Sequence, residues 1–242
     1  MVKSTSSRPA DTATERVYQG IYQAIVEHRL APGARLREEE LSESFGVSRT
    51  VVRQALQRLA ADHVIELAHN RGAQVPQPDL SHATQVFEAR CLVEGEVARR
   101  LAGRLSDEQV RALTQLVEAE GQAHARGDAA AAIRLSGQFH RTLAGLAGNP
   151  VFARWLDEML PTTSLLIALY QRSDQPGCVT HRHQELVAAL VQGTPAQAAS
   201  EMRRHLKELE KSLMGGAPRV APLRDVFAAY REAPPPDPEL PR

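Results

Sequence analysis

The segment LSESFGVSRTVVRQALQRLA, residues 41–60, constrains the fold of this chain more than any other. Apolar residues recur at helical spacing before and after Gly46-Val47, and Ser48 is a suitable N-cap for the second helix. Two short helices joined by a glycine-containing turn form the helix-turn-helix geometry, whose second helix enters the major groove of DNA. The segment therefore predicts a DNA-binding unit.

The flanking residues extend this pattern into a larger unit. A helix is expected to begin at Thr12, which forms a capping-box pattern with Glu15, and to end at Ala31-Pro32-Gly33. Two short strands are expected at 64–67 and 74–75, separated by a polar turn. Together these elements predict a winged helix-turn-helix made of three helices and a small β-hairpin.

The predicted secondary structure changes at Pro76-Gln77-Pro78-Asp79, which is the clearest linker. Beyond it no segment is typical of a strand, and helix start and stop signals recur. The predicted helices there are 80–103, 106–126, 128–147, 150–172, 177–192 and 195–213. The fold class is therefore mainly α, a winged helix-turn-helix followed by an all-α helical bundle. The predicted divisions are a disordered N-terminus 1–10, the winged unit 11–76, a linker 77–79, the bundle 80–213 and a Pro-rich tail 214–242.

The DNA-reading face is expected on the second helix of the helix-turn-helix. The chain has 29 basic and 29 acidic residues and a formal net charge of +0, so binding a polyanion requires locally concentrated positive charge. This helix carries three arginines and no acid. Arg49, Arg53 and Gln57 share one face, where arginine can pair with guanine or phosphate. Arg71 and Gly72 lie at the expected hairpin tip, a wing that can approach the DNA backbone or minor groove.

Three histidines of the predicted bundle are candidate metal ligands. His140, His183 and His205 lie on different predicted helices, and imidazoles that project into one bundle core can hold a divalent metal. Three protein ligands would leave coordination positions open for a small acidic molecule. Spacing alone leaves the alternative open, since scattered helical histidines are more often surface residues or hydrogen-bonded core residues.

Residues 14–75 resemble the N-terminal domain of GntR-family bacterial regulators. The matching residues are Ala31-Pro32-Gly33, Leu36, Glu39, Leu41, Phe45-Gly46-Val47-Ser48-Arg49-Thr50, Val52-Arg53, Ala55-Leu56, Leu59 and Arg71-Gly72. By this resemblance Arg49, Arg53 and Gly72 fall on positions that contact DNA in the family. Thr50, beside Arg49, joins them in the predicted DNA-binding set, together with Gln57 and Arg71.

Residues 80–213 resemble the all-helical ligand-binding domain, called FCD, of the FadR-type branch of that family. The matching residues are Glu88, Arg90 and Glu94, Phe139-His140 with Gly148-Asn149-Pro150, His183 with Leu186-Val187 and Ala189-Leu190, and Met202 with His205-Leu206. The resemblance implies that His140, His183 and His205 bind a metal such as zinc or nickel. Ser136 stands where relatives carry an aspartate ligand, so the expected site has three histidines, completed by Ser136 or water.

Arg90 is a candidate effector ligand, one helical turn before Glu94. One interpretation is a surface ion pair worth under about 1 kcal/mol. The other, implied by the resemblance, is a guanidinium that holds a carboxylate effector, and this makes Arg90 and the three histidines the predicted effector-binding set. Glu201, one turn before His205, is expected to orient that imidazole, and His181 is expected to point away from the site.

These features predict a ligand-responsive transcriptional regulator, not an enzyme, with no catalytic residues. The expected partners are a double-stranded DNA operator, a small carboxylate effector and a second copy of the chain. The protein would then be a homodimeric repressor that the effector releases from a pseudo-palindromic operator.

Two alternative functions are weaker. A metal-dependent hydrolase would use the three histidines, but no HExxH, GxSxG or P-loop motif is present and no carboxylate obviously adjoins them. A constitutive architectural DNA-binding protein is disfavoured by the zero net charge. Unpaired cysteine spacing, the lack of an apolar membrane-spanning run and the polar N-terminus predict a cytoplasmic location with no membrane partner.

Overall fold

The computed structural model describes residues 12–68, 72–171 and 179–214. Within those ranges the chain forms nine α-helices and three short strands. The helices are α1 Ala13–Val26, α2 Glu38–Phe45, α3 Arg49–Ala61, α4 Leu80–Leu101, α5 Asp107–Ala125, α6 Ala129–Leu146, α7 Pro150–Tyr170, α8 Val179–Gln192 and α9 Pro195–Leu213. The strands are β1 Arg35–Leu36, β2 Glu66–Ala68 and β3 Gly72–Gln74.

Helices α1 to α3 and the sheet surround a first apolar core. One face of α1 packs in this core against one face of α3, and its fully buried members include Val17, Ile25, Val52, Ala55 and Leu59. The spacing of these positions gives each helix one apolar side, which is why the opposite side of α3 remains in solvent. The predicted helix-turn-helix is present, and the turn between α2 and α3 places Gly46 in the left-handed region, with φ of 62°.

The sheet contains a third strand that the sequence analysis missed. The strand order is β1-β3-β2, and both pairings are antiparallel. Strand β1 has only two residues, so its alternation is too short to recognise from sequence. The hairpin strand expected at 64–67 begins at Glu66, because Val64 and Ile65 instead turn into the core and are buried there.

Capping side chains explain where most of the described helices begin. Thr12 caps α1 by accepting a hydrogen bond from the backbone N–H of Glu15 at 3.1 Å. The expected capping box is incomplete in its other half, since the Glu15 carboxylate accepts a hydrogen bond from Arg58 of α3 at 2.5 Å. A reciprocal capping box does form at the start of α5, between Ser106 and Gln109. Local hydrogen bonding thus fixes the helix starts that the sequence indicates.

Helices α4 to α9 surround a second apolar core. Helix α4 packs along α9 and also contacts α6 and α7, so it runs through the middle of the bundle. The fully buried large side chains of this core include Phe87, Leu113, Phe139, Leu156, Leu186 and Leu206. The all-α character predicted for this part of the chain is confirmed for the residues that the structure describes.

Helix α7 connects the two cores. Leu165 of α7 is 1% exposed and packs in the first core, among residues of the winged helix-turn-helix. The hydroxyl of Ser164 donates to the carbonyl of Val26 at 2.7 Å, and the Ser164 carbonyl lies 2.7 Å from Nε2 of His28. The C-terminal end of α1 is therefore fixed to the bundle.

Three expectations concern residues outside the described ranges: disorder at 1–10, the Pro-rich tail after Met214, and DNA contact by Arg71. Among the described helices, none combines the length and the apolar character needed to cross a bilayer.

Candidate functional site

Three histidine side chains converge in the core of the bundle. His140 lies on α6, His183 on α8 and His205 on α9. Nε2 of His140 is 3.2 Å from Nε2 of His183 and 3.3 Å from Nε2 of His205. A tetrahedral metal with nitrogen ligands at about 2.0–2.1 Å holds those nitrogens about 3.3 Å apart. The structure therefore brings the three predicted ligand atoms within 4.8 Å of one another, and the two separations from His140 match those around a metal ion.

Two buried carboxylates orient these imidazoles. Nδ1 of His140 donates to Oε2 of Glu94 at 2.5 Å, and Nδ1 of His183 donates to Oε2 of Glu120 at 2.6 Å. A proton held on Nδ1 leaves the lone pair of Nε2 free for a metal. The sequence-based view that no carboxylate adjoins the histidines is wrong. Both carboxylates are engaged by imidazole N–H groups, so their role is to position the ring nitrogens.

Burial keeps the three imidazoles neutral. Desolvation lowers the pKa of His140 and lowers that of His183 to about 3. Desolvation, together with the neighbouring histidines, also lowers the pKa of His205 well below its usual value. Neutral imidazole is the form that binds metal ions, so this donor set fits a borderline divalent ion such as zinc or nickel.

Arg90 is buried beside this cluster, and the surface ion-pair interpretation is therefore wrong. Its side chain and that of Glu94 are 2% and 1% exposed, and Nε donates to Oε1 of Glu94 at 2.6 Å. Burial alone would raise the pKa of Glu94, but the positive charge of Arg90 and the hydrogen bonds from Arg90 and His140 lower it to about 2. Nη1 of Arg90 donates to Thr163 at 3.3 Å, whereas Nη2 is buried without a hydrogen-bond partner among the described residues.

A cavity of about 500 Å³ lies beside His140, one of the three clustered histidines. Arg90, Glu120, Ser136 and His140 are among its lining residues. Burial raises the pKa of Glu120 to about 7, against the opposing effects of His140, His124 and Ser136. A cavity of this size with few convergent polar groups is typical of small-molecule sites, and a metal bound here would supply a Lewis acid for an oxygen of the ligand.

Two further expectations about this site have different outcomes. Glu201 does not orient His205, because both oxygens of its carboxylate accept hydrogen bonds from Arg204. That expectation is wrong, and the reason is that a surface arginine on the same helix lies closer. The structure describes His181 as part of α8 but does not describe its side chain, so the expectation that it points away from the site stays a prediction.

The predicted DNA-reading residues lie together on the outer side of α3. Ser48 caps this helix, and Arg49, Thr50, Arg53 and Gln57 are all exposed. Both arginines are held by acidic residues of α2. Arg49 donates to Glu39, and Arg53 binds both oxygens of Glu38 at 2.9 and 2.7 Å.

The wing faces the same groove as α3. Gly72, with φ of 77°, lines this groove with Arg53 and Gln57. Arg35 and Arg37 also line it and are exposed, although the sequence analysis did not select them. The two arginines flank the buried Leu36, an alternation too short to identify a strand from sequence. The groove therefore contains arginines besides that of α3, together with Glu38 and Glu39 of α2.

Comparison with known families identifies both parts of the chain. Residues 13–75 match the family described as bacterial regulatory proteins, gntR family, and residues 85–208 match the FCD domain. The chain belongs to the GntR family. It is a DNA-binding transcriptional regulator with an FCD domain, and not an enzyme. The expected family and fold class are confirmed.

Curated relatives of this GntR-family regulator cover most of its length. The HTH-type transcriptional repressor RspR of Escherichia coli is 25% identical over 214 residues, covering 88% of this chain and 94% of the relative. The HTH-type transcriptional repressor NanR of Salmonella schwarzengrund is 29% identical over 223 residues, covering 81% of this chain and 82% of the relative.

Solved structures share this fold. A GntR regulator from Rhodococcus sp. RHA1 superposes with a TM-score of 0.74 at 24% identity, covering 84% of this chain and 97% of that chain. McbR/YncC of Escherichia coli superposes with a TM-score of 0.70 at 20% identity, covering 90% and 99%. At these identities the likeness concerns the fold.

Proposed function

We propose that this GntR-family protein is a homodimeric repressor that a small carboxylate metabolite releases from a pseudo-palindromic operator. The observation that carries the effector assignment is a cavity lined by Arg90, whose Nη2 lacks a partner among the described residues, and by His140, which meets the neutral imidazoles of His183 and His205. A metal on His140, His183 and His205 would hold one oxygen of the ligand, and Arg90 would pair with its carboxylate. RspR and NanR are both named as repressors, which supports the direction of regulation.

The DNA-binding assignment rests on the exposed face of α3. Arg49, Thr50, Arg53 and Gln57 would contact base edges and phosphates in the major groove, while Gly72 and Arg71 at the wing would approach the backbone. In this proposal the winged unit spans 11–76 and the effector domain spans 80–213, with 77–79 as the linker. The separate matches to residues 13–75 and 85–208 support this division.

Two exposed apolar side chains support the dimer. Leu92 of α4 is 72% exposed and Trp155 of α7 is 44% exposed. A dimer contact through these two side chains would remove their apolar surface from water. A symmetric dimer would present two copies of α3 to two operator half-sites.

In vitro selection from random DNA with the full-length protein tests this function, followed by fluorescence anisotropy on the selected sites. We expect two-fold symmetric sites and binding that weakens with salt. Addition of Zn²⁺ with a panel of small mono- and dicarboxylates should weaken operator binding for at least one compound. Selection of no symmetric site would refute the operator assignment, and a panel without effect would refute the effector class.

A further inference from the structure

The DNA-binding half of the molecule forms one wall of the effector cavity. Tyr22, Gln23 and Val26 of α1 line the cavity that also contains Arg90 and His140. The wall is fixed in place, since the Val26 carbonyl accepts the Ser164 hydroxyl of α7. A second hydrogen bond between the two halves comes from Arg141, which follows His140 directly and donates to the Tyr22 hydroxyl. A molecule in this cavity therefore lies against α1 as well as against the bundle.

Three buried polar atoms at this cavity lack hydrogen-bond partners among the described residues: Nη2 of Arg90, Oε1 of Gln23 and Oε1 of Glu120. Nη2 of Arg90 is a donor, whereas the two oxygens are acceptors. Buried polar groups are almost always hydrogen-bonded, so three exceptions at one cavity indicate groups that a ligand satisfies. One end of that ligand must then be an anion, for Arg90. Another part must carry a hydrogen-bond donor, for Gln23.

We propose that α1 of the DNA-binding domain forms part of the effector site, and that Gln23 recognises a hydroxyl or amino group of a carboxylate effector. The inference rests on the carboxylate effector proposed above and adds a second requirement to it. A carboxylate without such a donor leaves the Gln23 oxygen buried and unpaired, and it therefore binds more weakly.

The same geometry couples the effector to the DNA-reading helix α3 through α1. Gln23 lies on α1, whose opposite face shares the first core with α3. A hydrogen bond to Gln23 that favours one placement of α1 therefore favours one placement of α3. An effector acts on DNA binding only through such a difference between two arrangements.

Matched probe pairs test this inference on the full-length protein loaded with Zn²⁺. The pairs are ω-hydroxycarboxylates of four to eight carbons and the corresponding alkanoates without the hydroxyl, measured by titration calorimetry. For the chain length that fits, we expect the hydroxylated probe to bind roughly five- to tenfold more tightly, as one additional buried hydrogen bond implies. Gln23→Leu should abolish this preference. Gln23→Glu should transfer it to the ω-aminocarboxylate of the same length.

Gln19→Leu is the matched control, because Gln19 lies one turn earlier on α1, is exposed and binds Glu15. This variant should keep the wild-type preference. If probes bind with equal affinity with and without the hydroxyl, and Gln23→Leu changes nothing, α1 is not part of the site although the carboxylate effector stands. If no probe binds even to the wild-type protein, both the composite site and the carboxylate effector are refuted.

Discussion

Oε2 of Glu120 lies 2.6 Å from Nδ1 of His183, although 63 residues separate them in the chain. This hydrogen bond directs Nε2 of His183 toward His140 and His205. Glu120→Gln should therefore reduce zinc affinity by about ten- to a hundredfold, the usual effect of losing a carboxylate that orients a ligand histidine. Competition with a chromophoric chelator measures the affinity. Glu118→Gln is the control, since Glu118 is exposed on the same helix, and equal affinities for both variants would contradict the prediction.

The stability of the metal-free protein should also report on Glu120. Its pKa is raised from 4.5 to about 7 by burial, so the folded state binds more protons than the unfolded state between these values. The contribution of Glu120 to stability is therefore present at low pH and is lost as pH rises from about 4.5 to 7, by roughly 1–3 kcal/mol. Urea unfolding of wild type and Glu120→Gln across this range checks the sign. The variant should gain stability relative to wild type as pH rises, and parallel curves would exclude this role.

The double variant His140→Ala with His183→Ala should lose metal retention while largely keeping its helical content. Two of the three nitrogen ligands disappear, whereas the apolar residues of the second core remain in place. Elemental analysis after purification without chelators, combined with circular dichroism, measures both quantities. His82→Ala is the control, because His82 is an exposed residue of α4. Equal metal content in the double variant and the control would place the metal elsewhere.

The effect of each α3 arginine on DNA binding should depend on the face of the helix on which it lies. Arg49→Ala and Arg53→Ala should each weaken operator binding by at least about 1 kcal/mol if these side chains reach bases. Arg58→Ala is the matched control on the same helix, since Arg58 pairs with Glu15 and lies 4.2 Å from the ring centre of Tyr18. Fluorescence anisotropy on the selected operator measures all three. A loss for Arg58→Ala equal to the other two would show that α3 presents a different face.

Leu165→Ala should destabilise the DNA-binding half although Leu165 belongs to α7. Removing a fully buried leucine costs about 2–5 kcal/mol, and the resulting cavity would lie in the first core. Calorimetric unfolding and hydrogen exchange of α1 and α3 measure where stability is lost. Leu166→Ala, at the next position and in the second core, provides the comparison. An equal loss of hydrogen-exchange protection in α1 and α3 for both variants would contradict the placement of Leu165 in the first core and Leu166 in the second.

Much of the fold could be predicted from sequence because its signals are local. The Ser48 cap, the Gly46 turn and the apolar stripe of α3 lie within a few residues of one another. The three histidines were identified through resemblance, since spacing alone left a surface role open. Glu120 could not be assigned to the site, because it meets His183 only through the packing of α5 against α8. The burial of Arg90 is also a tertiary property, as is the presence of Gln23 at the cavity.

The placement of Leu165 in the first core also restricts how such regulators can be recombined. An engineered chimera that joins this DNA-binding half to a foreign sensor at residues 77–79 would leave behind the leucine that completes its core. A working exchange would need to carry α7 positions 164 and 165 with the N-terminal half, or graft them onto the new sensor. Sequence variation at these two positions should therefore follow variation in α1, which they contact.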